Sequence, residues 1–503
     1  MILLLVASFL LLALGAGTTR RAALFSLAGL AGVGAALLWG AIGASSLSTY
    51  LTSAATGLGV GSLVLAGRFH RLRQSSKARP WLAMGTVLLT VAVLMGLGRA
   101  WLSTSDHVTW LVELGPDDDI SEIEPVLVAF DLSHERAFPT LSREDQPDLA
   151  QVYLLHGSPA DMSSAVSELR LDTENVDHLE PNLRLQFIDQ ATGSPADMSV
   201  LETRLLENDP LAPSQWELEA TGAHSVHALL QSLQPVRPAT VAILDTGVDA
   251  THEDLADVVT HGSIRIDSNG HGTHVAGTAA AVTNNRLGVA SMNWEGAFIR
   301  IAAYQALSAN GTGTLEGIAQ AIVDATTDNV DVISMSLGAD TGGPTPKVIR
   351  DAIAFALSRD IPVVVSAGNN GTDADRQFPA NVDGVIVVGA VDRNLDRASF
   401  SNTTRTLERR IAAPGSNILS VRTGGGYVSM SGTSMATPAV SGLLGLLRAL
   451  NPSLTTRDLW ALIRDTATDI PAAHEIGPLL NSGAALQQYQ ISMTDVEGPL
   501  QNM

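Results

Sequence analysis

The 503-residue chain has no cysteine, only two lysines (Lys77 and Lys347) and, from Met1 to Ser105, no acidic side chain at all. Lacking cysteine, it can hold no disulfide, thiol nucleophile or thiolate metal site. The acidic gap divides the chain sharply. Eight basic residues precede Ser105 (Arg20, Arg21, Arg68, Arg71, Arg73, Lys77, Arg79 and Arg99), whereas the remainder sets 51 acidic residues against 22 basic ones. A surface so rich in carboxylates excludes the basic face that nucleic acid requires, so no nucleic-acid partner is expected.

Low polarity is what the first 105 residues do have. Apolar stretches run over Ile2–Ala16, Ala22–Ala44, Leu47–Ala66 and Trp81–Leu97. A membrane span needs about 20 residues, with a lower limit near 17, so residues 1–105 are expected to form an α-helical bundle of about four transmembrane helices. The alternative is three spans after a cleaved signal, although Met1 is followed by Ile-Leu-Leu-Leu with no basic run. Arg20 and Arg21 lie in one loop, and Arg68 to Arg79 in another. Positive loops stay inside, which predicts an integral membrane protein, in contact with lipid, whose remainder is extracytoplasmic.

Residues 106–189 read as a small α+β unit. Val108–Val112 and Gln151–His156 are strand-like, Met162–Leu171 is an amphipathic helix, and Val176–Leu179 and Leu183–Ile188 are short strands around Glu180-Pro181-Asn182. A polar linker follows at 190–207, an exposed stretch of the kind where a chain is most readily cut. Within it Gly193–Ser199 repeats Gly157–Ser163 letter for letter.

Three later segments carry chemistry. Val241–Leu244 is an apolar run ending in Asp245 and a Gly turn, which suits a buried strand with a carboxylate at its carboxyl end. His271-Gly-Thr-His opens a run of small residues suited to a close-packed helix. Ser434 precedes the apolar run Ala439–Leu450, which puts it at a helix N-terminus. A serine hydroxyl needs an adjacent base to attack at neutral pH. Imidazole can take and return that proton, and a buried carboxylate fixes its tautomer. A helix N-terminus favours the developing oxyanion.

The order Asp245, His271, Ser434, with its surrounding letters, resembles the subtilisin family over about Asp209 to Leu486. The resemblance implies a serine endopeptidase that forms an acyl-enzyme. It makes His271, rather than His274, the base, and Asn369 of Ser366-Ala-Gly-Asn the side-chain oxyanion donor. It further implies a groove for extended or unfolded peptide, with Ser336, Leu337 and Gly338 on one wall and Gly311, Thr312 and Gly313 on the other. Calcium is the implied cofactor, with side-chain oxygens from Asp209, Asp254 and Asn285 and carbonyls from Thr283, Leu287 and Val289. Val176–Asn182 resembles the end of a subtilisin propeptide, which would make 106–189 an internal partner of the protease. One departure is Ala439, where the family often has histidine after Pro438.

The expected fold is α/β, a doubly wound, mostly parallel sheet over 208–489. It is preceded by the α+β propeptide-like domain and the membrane bundle, and followed by a tail at 490–503. Strands at Val241–Leu244, Val330–Ser334, Val363–Ser366 and Val385–Val388 alternate with helices at Leu315–Ala325, Pro346–Ser358 and Thr437–Leu450. Two rival readings are a catalytically silent subtilisin fold used for binding, and a protease module attached to a membrane sensor or transport bundle.

Overall fold

A computed structural model describes residues 107–186, 194–195, 206–262, 265–340 and 343–497. By its contacts the chain divides into a unit of residues 1–108 with 157–160 and a unit of 109–156 with 161–503. Nearly all of the first lies outside the described residues, as do the four apolar stretches expected to span a membrane. Among the described residues no helix is long and apolar enough to cross a membrane. That finding overturns the expected integral membrane placement, and the lipid partner with it. The 18-residue helix Thr433–Leu450 illustrates the physical reason: it is long enough, but its Thr, Ser, Gly and Pro residues and Arg448 leave it too polar for a span.

The segment before the linker forms a four-stranded antiparallel sheet from β1 (Val108–Leu114), β2 (Ser133–Arg136), β3 (Val152–Gly157) and β4 (Val176–Pro181), in the order β2-β3-β1-β4. Helix α1 covers Pro159–Leu169 and turns Met162, Ala165, Val166 and Leu169 inward, a 3–4 spacing that keeps one face apolar. A short strand, β5 (Arg184–Gln186), leaves this sheet and pairs elsewhere.

The larger sheet has seven strands, all parallel: β6 (Ala239–Asp245), β7 (Val259–Gly262), β8 (Ile299–Gln305), β10 (Val332–Met335), β11 (Val363–Ser366), β12 (Ile386–Val391) and β13 (Arg410–Pro414). Their order is β13-β12-β11-β10-β6-β8-β7. Successive side chains of a strand face opposite sides, and here both sides are apolar. Val241 and Ile243 join one core with Val275, Ala276 and Leu443, from helices α2 (His271–Ala280) and α5 (Thr433–Leu450). Ala242 and Leu244 join the other with Ile318 and Ile349, from helices α3 (Leu315–Thr327) and α4 (Lys347–Ser358). This double burial is why the strands read as unbroken apolar runs. Leu111, Phe138 and Val152 of the preceding segment share the second core.

Helix Ser482–Glu497 runs past residue 489, where a tail was expected. Ser194–Pro195 of the linker pairs with Tyr427–Met430, which lies between it and Ile418–Val421 in a three-stranded sheet.

Candidate active site

Asp245 ends β6, and Ser336 follows the end of the neighbouring β10, where Ser334 pairs with Ile243. The carboxyl edge of a parallel sheet is where ligands bind in such folds. Helix α2 begins there with His271 and helix α5 with Thr433-Ser434. The two helices pack together, and Gly442 sits so close to Ala279 that a Cβ would stand 2.6 Å from the Ala279 carbonyl oxygen. Each contact residue lies eight positions after the corresponding site residue, in keeping with two helices that rise side by side from one edge.

His271 is buried. Its Nδ1 lies 2.8 and 2.9 Å from the two carboxylate oxygens of Asp245, which is wholly inaccessible. Asp245 Oδ1 also accepts the Thr246 N–H at 2.7 Å. Gly272 permits this approach: a side chain there would collide with the Gly247 carbonyl oxygen at 2.2 Å and with Asp245 Cβ at 3.0 Å.

Asp267 fixes the turn before His271. Its carboxylate accepts from the Thr246 hydroxyl, from the N–H groups of Asn269, Gly270 and Thr273, and from the Thr273 hydroxyl. Sequence reasoning missed this residue. The available signal was an aspartate placed before Asn-Gly at a helix start.

His274 does different work. Its Nε2 lies 3.0 and 3.1 Å from the carbonyl oxygens of Ile418 and Val428, so it clamps the hairpin to α2. Burial, then the neighbouring His271, pushes its imidazole down to about 3, which keeps it neutral.

On the serine side, Ser434 Oγ donates to the Ser336 carbonyl at 3.2 Å, and among the described residues it makes no hydrogen bond to His271. The Ser336 hydroxyl in turn donates to the Ser434 carbonyl at 2.8 Å. That carbonyl is available because Pro438, four residues on inside α5, has no N–H to offer it. The Asn369 side-chain oxygen accepts from the Thr433 N–H at 2.8 Å and the Thr433 hydroxyl at 2.9 Å. With the oxygen so held, the amide NH2 is the end left for a ligand, and the residue is exposed.

A cavity of about 300 Å³ adjoins both groups and is lined by Gly338, Asp340, Ser366, Gly368 and Gln377 together with Leu185 and Gln186. Gln377 is buried, and its side-chain NH2 has no partner; nothing in its local sequence had marked it. Of the other expected groove residues, Ser336 and Leu337 are buried behind the wall. Gly311 precedes strand β9 (Thr312–Thr314), which contains Thr312 and Gly313. Strand β9 pairs antiparallel with β5, Thr312 opposite Gln186 and Gly313 opposite Leu185. The chain's own preceding segment therefore lies on the expected substrate wall.

The same segment grips two helix N-termini. The Glu180 carboxylate accepts the N–H groups of Lys347 and Val348, both at 2.9 Å, at the start of α4. Asn182 accepts the Glu316 N–H at 3.1 Å at the start of α3. These are donors that a helix cannot satisfy internally, and α4 has no side-chain cap at its own N-cap residue.

Of the residues expected to hold calcium, Asp209 and Asp254 are both buried beside the loop 283–289. Asp209 accepts the N–H groups of Asn284 and Asn285, and Asp254 accepts the Val289 N–H and the Asn285 side-chain NH2. Burial raises Asp209 to about 6 and lifts Asp254 as well. The Thr283 hydroxyl donates to the Ser291 carbonyl, and the Asn285 side-chain oxygen accepts the Leu287 N–H.

A family model described as the subtilase family, peptidase S8, matches residues 237–485. Subtilisin DY of Bacillus licheniformis is 39% identical over 258 residues, covering 49% of this chain and 90% of that protein. The chain belongs to the subtilase family. Subtilases of this kind are serine-type endopeptidases, and so is this chain. It is also similar to the thermophilic serine proteinase of Bacillus sp. (strain AK1), 45% identical over 214 residues that cover 41% of this chain and 51% of the relative. An alkaline protease of Shouchella clausii is 33% identical over 351 residues, covering 69% of this chain and 84% of the relative. Residues 237–503 are little more than half of this subtilase, so that last similarity extends upstream of the catalytic match.

Proposed function

We propose that this endopeptidase cleaves extended peptide through an acyl-enzyme on Ser434, with His271 as general base, Asp245 holding its tautomer and Asn369 donating its side-chain amide to the oxyanion. The observation that carries this reading is the buried Asp245–His271 pair at the sheet edge where Ser434 opens its helix. In the reaction Ser434 Oγ turns about one bond from the Ser336 carbonyl toward His271, which takes its proton as the carbonyl carbon is attacked. Hydrogen bonds of this kind often tighten only when substrate is bound.

The peptide would lie antiparallel to β9, where β5 now lies, held by main-chain hydrogen bonds in the manner of an added strand. The residue before the scissile bond would enter the cavity over Gln377. On this reading 106–189 is a propeptide-like domain that covers the groove, and 190–207 is the stretch where it is released. The described contacts of Glu180, Asn182 and β5 support that reading, as does the upstream reach of the alkaline protease similarity.

Calcium is the proposed cofactor. Two buried carboxylates with no lysine or arginine bonded to them among the described residues fit a hard divalent cation. Asp209 and Asp254 would hold it. Asn285 fits less well, because its oxygen is engaged by Leu287. The ion would supply charge neutralisation within the loop and takes no part in bond cleavage.

Labelling with a fluorophosphonate tests the assignment. Covalent capture by the full chain, abolished in Ser434→Ala, is expected. A chain that stays unlabelled after release of the preceding segment would favour a silent binding fold.

A further inference from the structure

Away from the catalytic edge, Glu207, His224 and His227 bring three ligand atoms within 4.8 Å of one another. The two histidines lie three apart on helix Ala223–Leu230, which puts them on one face, and Glu207 comes from the strand of chain that enters the catalytic domain. His224 Nδ1 is 2.5 Å and His227 Nδ1 is 3.0 Å from the same oxygen, Glu207 Oε1.

The geometry fixes where one proton sits. His227 Nε2 is 2.7 Å from the Ser291 carbonyl oxygen, an atom that only accepts, so this nitrogen carries hydrogen. In the neutral ring the other nitrogen, Nδ1, is then a bare lone pair. It faces a carboxylate oxygen inside a fully buried site. Two lone pairs at that distance repel unless a proton or a metal cation lies between them. The second carboxylate oxygen, Glu207 Oε2, is also buried and has no partner. A carbonyl that receives the far N–H of an imidazole is the support that metal-ligating histidines ordinarily have. His224 remains a quarter exposed, which leaves a path in from solvent and room for a fourth ligand.

We propose that Glu207, His224 and His227 form a zinc site, with both Nδ1 atoms and the carboxylate as protein ligands and water in the fourth position. Two imidazoles and one carboxylate are a donor set for a borderline divalent ion rather than for calcium, which takes six to eight oxygens. Bonds of about 2.0–2.2 Å in a tetrahedron place ligand atoms roughly 3.3 Å apart, so the two nitrogens, now at 2.5 and 3.0 Å, would move back from Glu207 Oε1 by less than about 1 Å. Zinc here would be structural. It would pin the end of the linker to helix Ala223–Leu230, two residues from Asp209, and so keep the start of the catalytic domain in place once the linker is cut upstream of Glu207.

The test is a cobalt titration of the full chain carrying Ser434→Ala, to prevent autolysis, with calcium at saturation so that oxygen-only sites are filled. One cobalt per chain with intense tetrahedral ligand-field bands, displaced by zinc, is expected. His224→Gln, the least buried of the three changes, is expected to weaken binding at least tenfold and to remove the bands while peptide cleavage in the active background stays as it was. Cobalt bound equally by parent and folded His224→Gln, or absent bands, would leave the cluster as a protonated His–Glu–His hydrogen-bond group and end the proposal. Should His224→Gln fail to fold, X-ray absorption on the zinc-loaded, unsubstituted full chain decides. Imidazole scattering with neighbours at about 2.0–2.1 Å supports the site, and a shell of oxygen alone overturns it.

Discussion

At the carboxyl edge of the sheet the two sides of the site are built differently. Around His271 the groups that set the ring are buried and bonded: Asp245 holds its Nδ1, and Asp267 holds the turn that delivers it. Around Ser434 the hydroxyl leans on a main-chain carbonyl, Asn369 is exposed, and a cavity of about 300 Å³ opens beside them. On the proposed mechanism the difference follows from what each side must do. Charge has to be stabilised without reorganisation, so the acid–imidazole side is set before substrate arrives. The serine side must admit a peptide, and is completed by it.

Asp245→Asn strikes the fixed side and should have the largest effect, a fall in kcat of about 10⁴-fold, with slower fluorophosphonate labelling and an unchanged cavity. A loss under tenfold would mean that the buried carboxylate is not orienting the base. Asn369→Ala strikes the open side. We expect kcat to drop about 10²–10³-fold, or roughly 3–4 kcal/mol of barrier, with little change in KM. A change confined to KM would make Asn369 a binding residue only.

The fixed side can also be undermined by acid. His274 has a folded-state pKa near 3 against an ordinary value of 6.5, so the unfolded chain takes up its proton first. Its contribution to stability is fully present above pH 6.5 and is lost as pH falls towards 3, at up to about 1.4 kcal/mol per unit. Thermal unfolding followed over that range should flatten in His274→Gln, after allowing for a lower starting Tm. An unaltered slope would show that other groups drive acid unfolding.

The smallest effect concerns what fills the open side. Glu180→Ala removes the carboxylate from the start of α4 and should cost about 1–2 kcal/mol of segment docking. The readout is a shorter lag before peptide cleavage begins. An unchanged lag would separate helix capping from coverage of the groove.

Much of the site was legible because its chemistry sits at element ends. A strand buried on both faces reads as an apolar run, and the polar residue that ends it, Asp245 after Leu244 or Ser366 after Val365, is at once conspicuous. Boundaries moved little: Val330–Ser334 became Val332–Met335, and Pro346–Ser358 became Lys347–Ser358. Helix α5 begins at Thr433, four residues before the expected start at Thr437, since Thr433–Ala436 are buried but not strongly apolar as a run. The strands Val259–Gly262 and Ile299–Gln305 were missed. The first is a short edge strand, and the second carries Arg300 and two alanines that blur its periodicity.

Gln377 and Asp267 were missed for another reason. Their importance comes from groups that folding brings to them, Ser434 and Asn369 for the one and a ring of amides for the other. The integral membrane placement failed because low polarity alone does not distinguish a span from other apolar segments, and no described helix met the requirement.

The pairing of β5 with β9 has one more consequence. On the proposed reading the covering strand belongs to the polypeptide it covers, so dilution does not thin it out: its effective concentration is set by the tether and not by the amount of protein in the tube. Unmasking should therefore begin as a first-order event, with the same half-time in dilute and concentrated samples, until the first freed molecules begin to cut their neighbours.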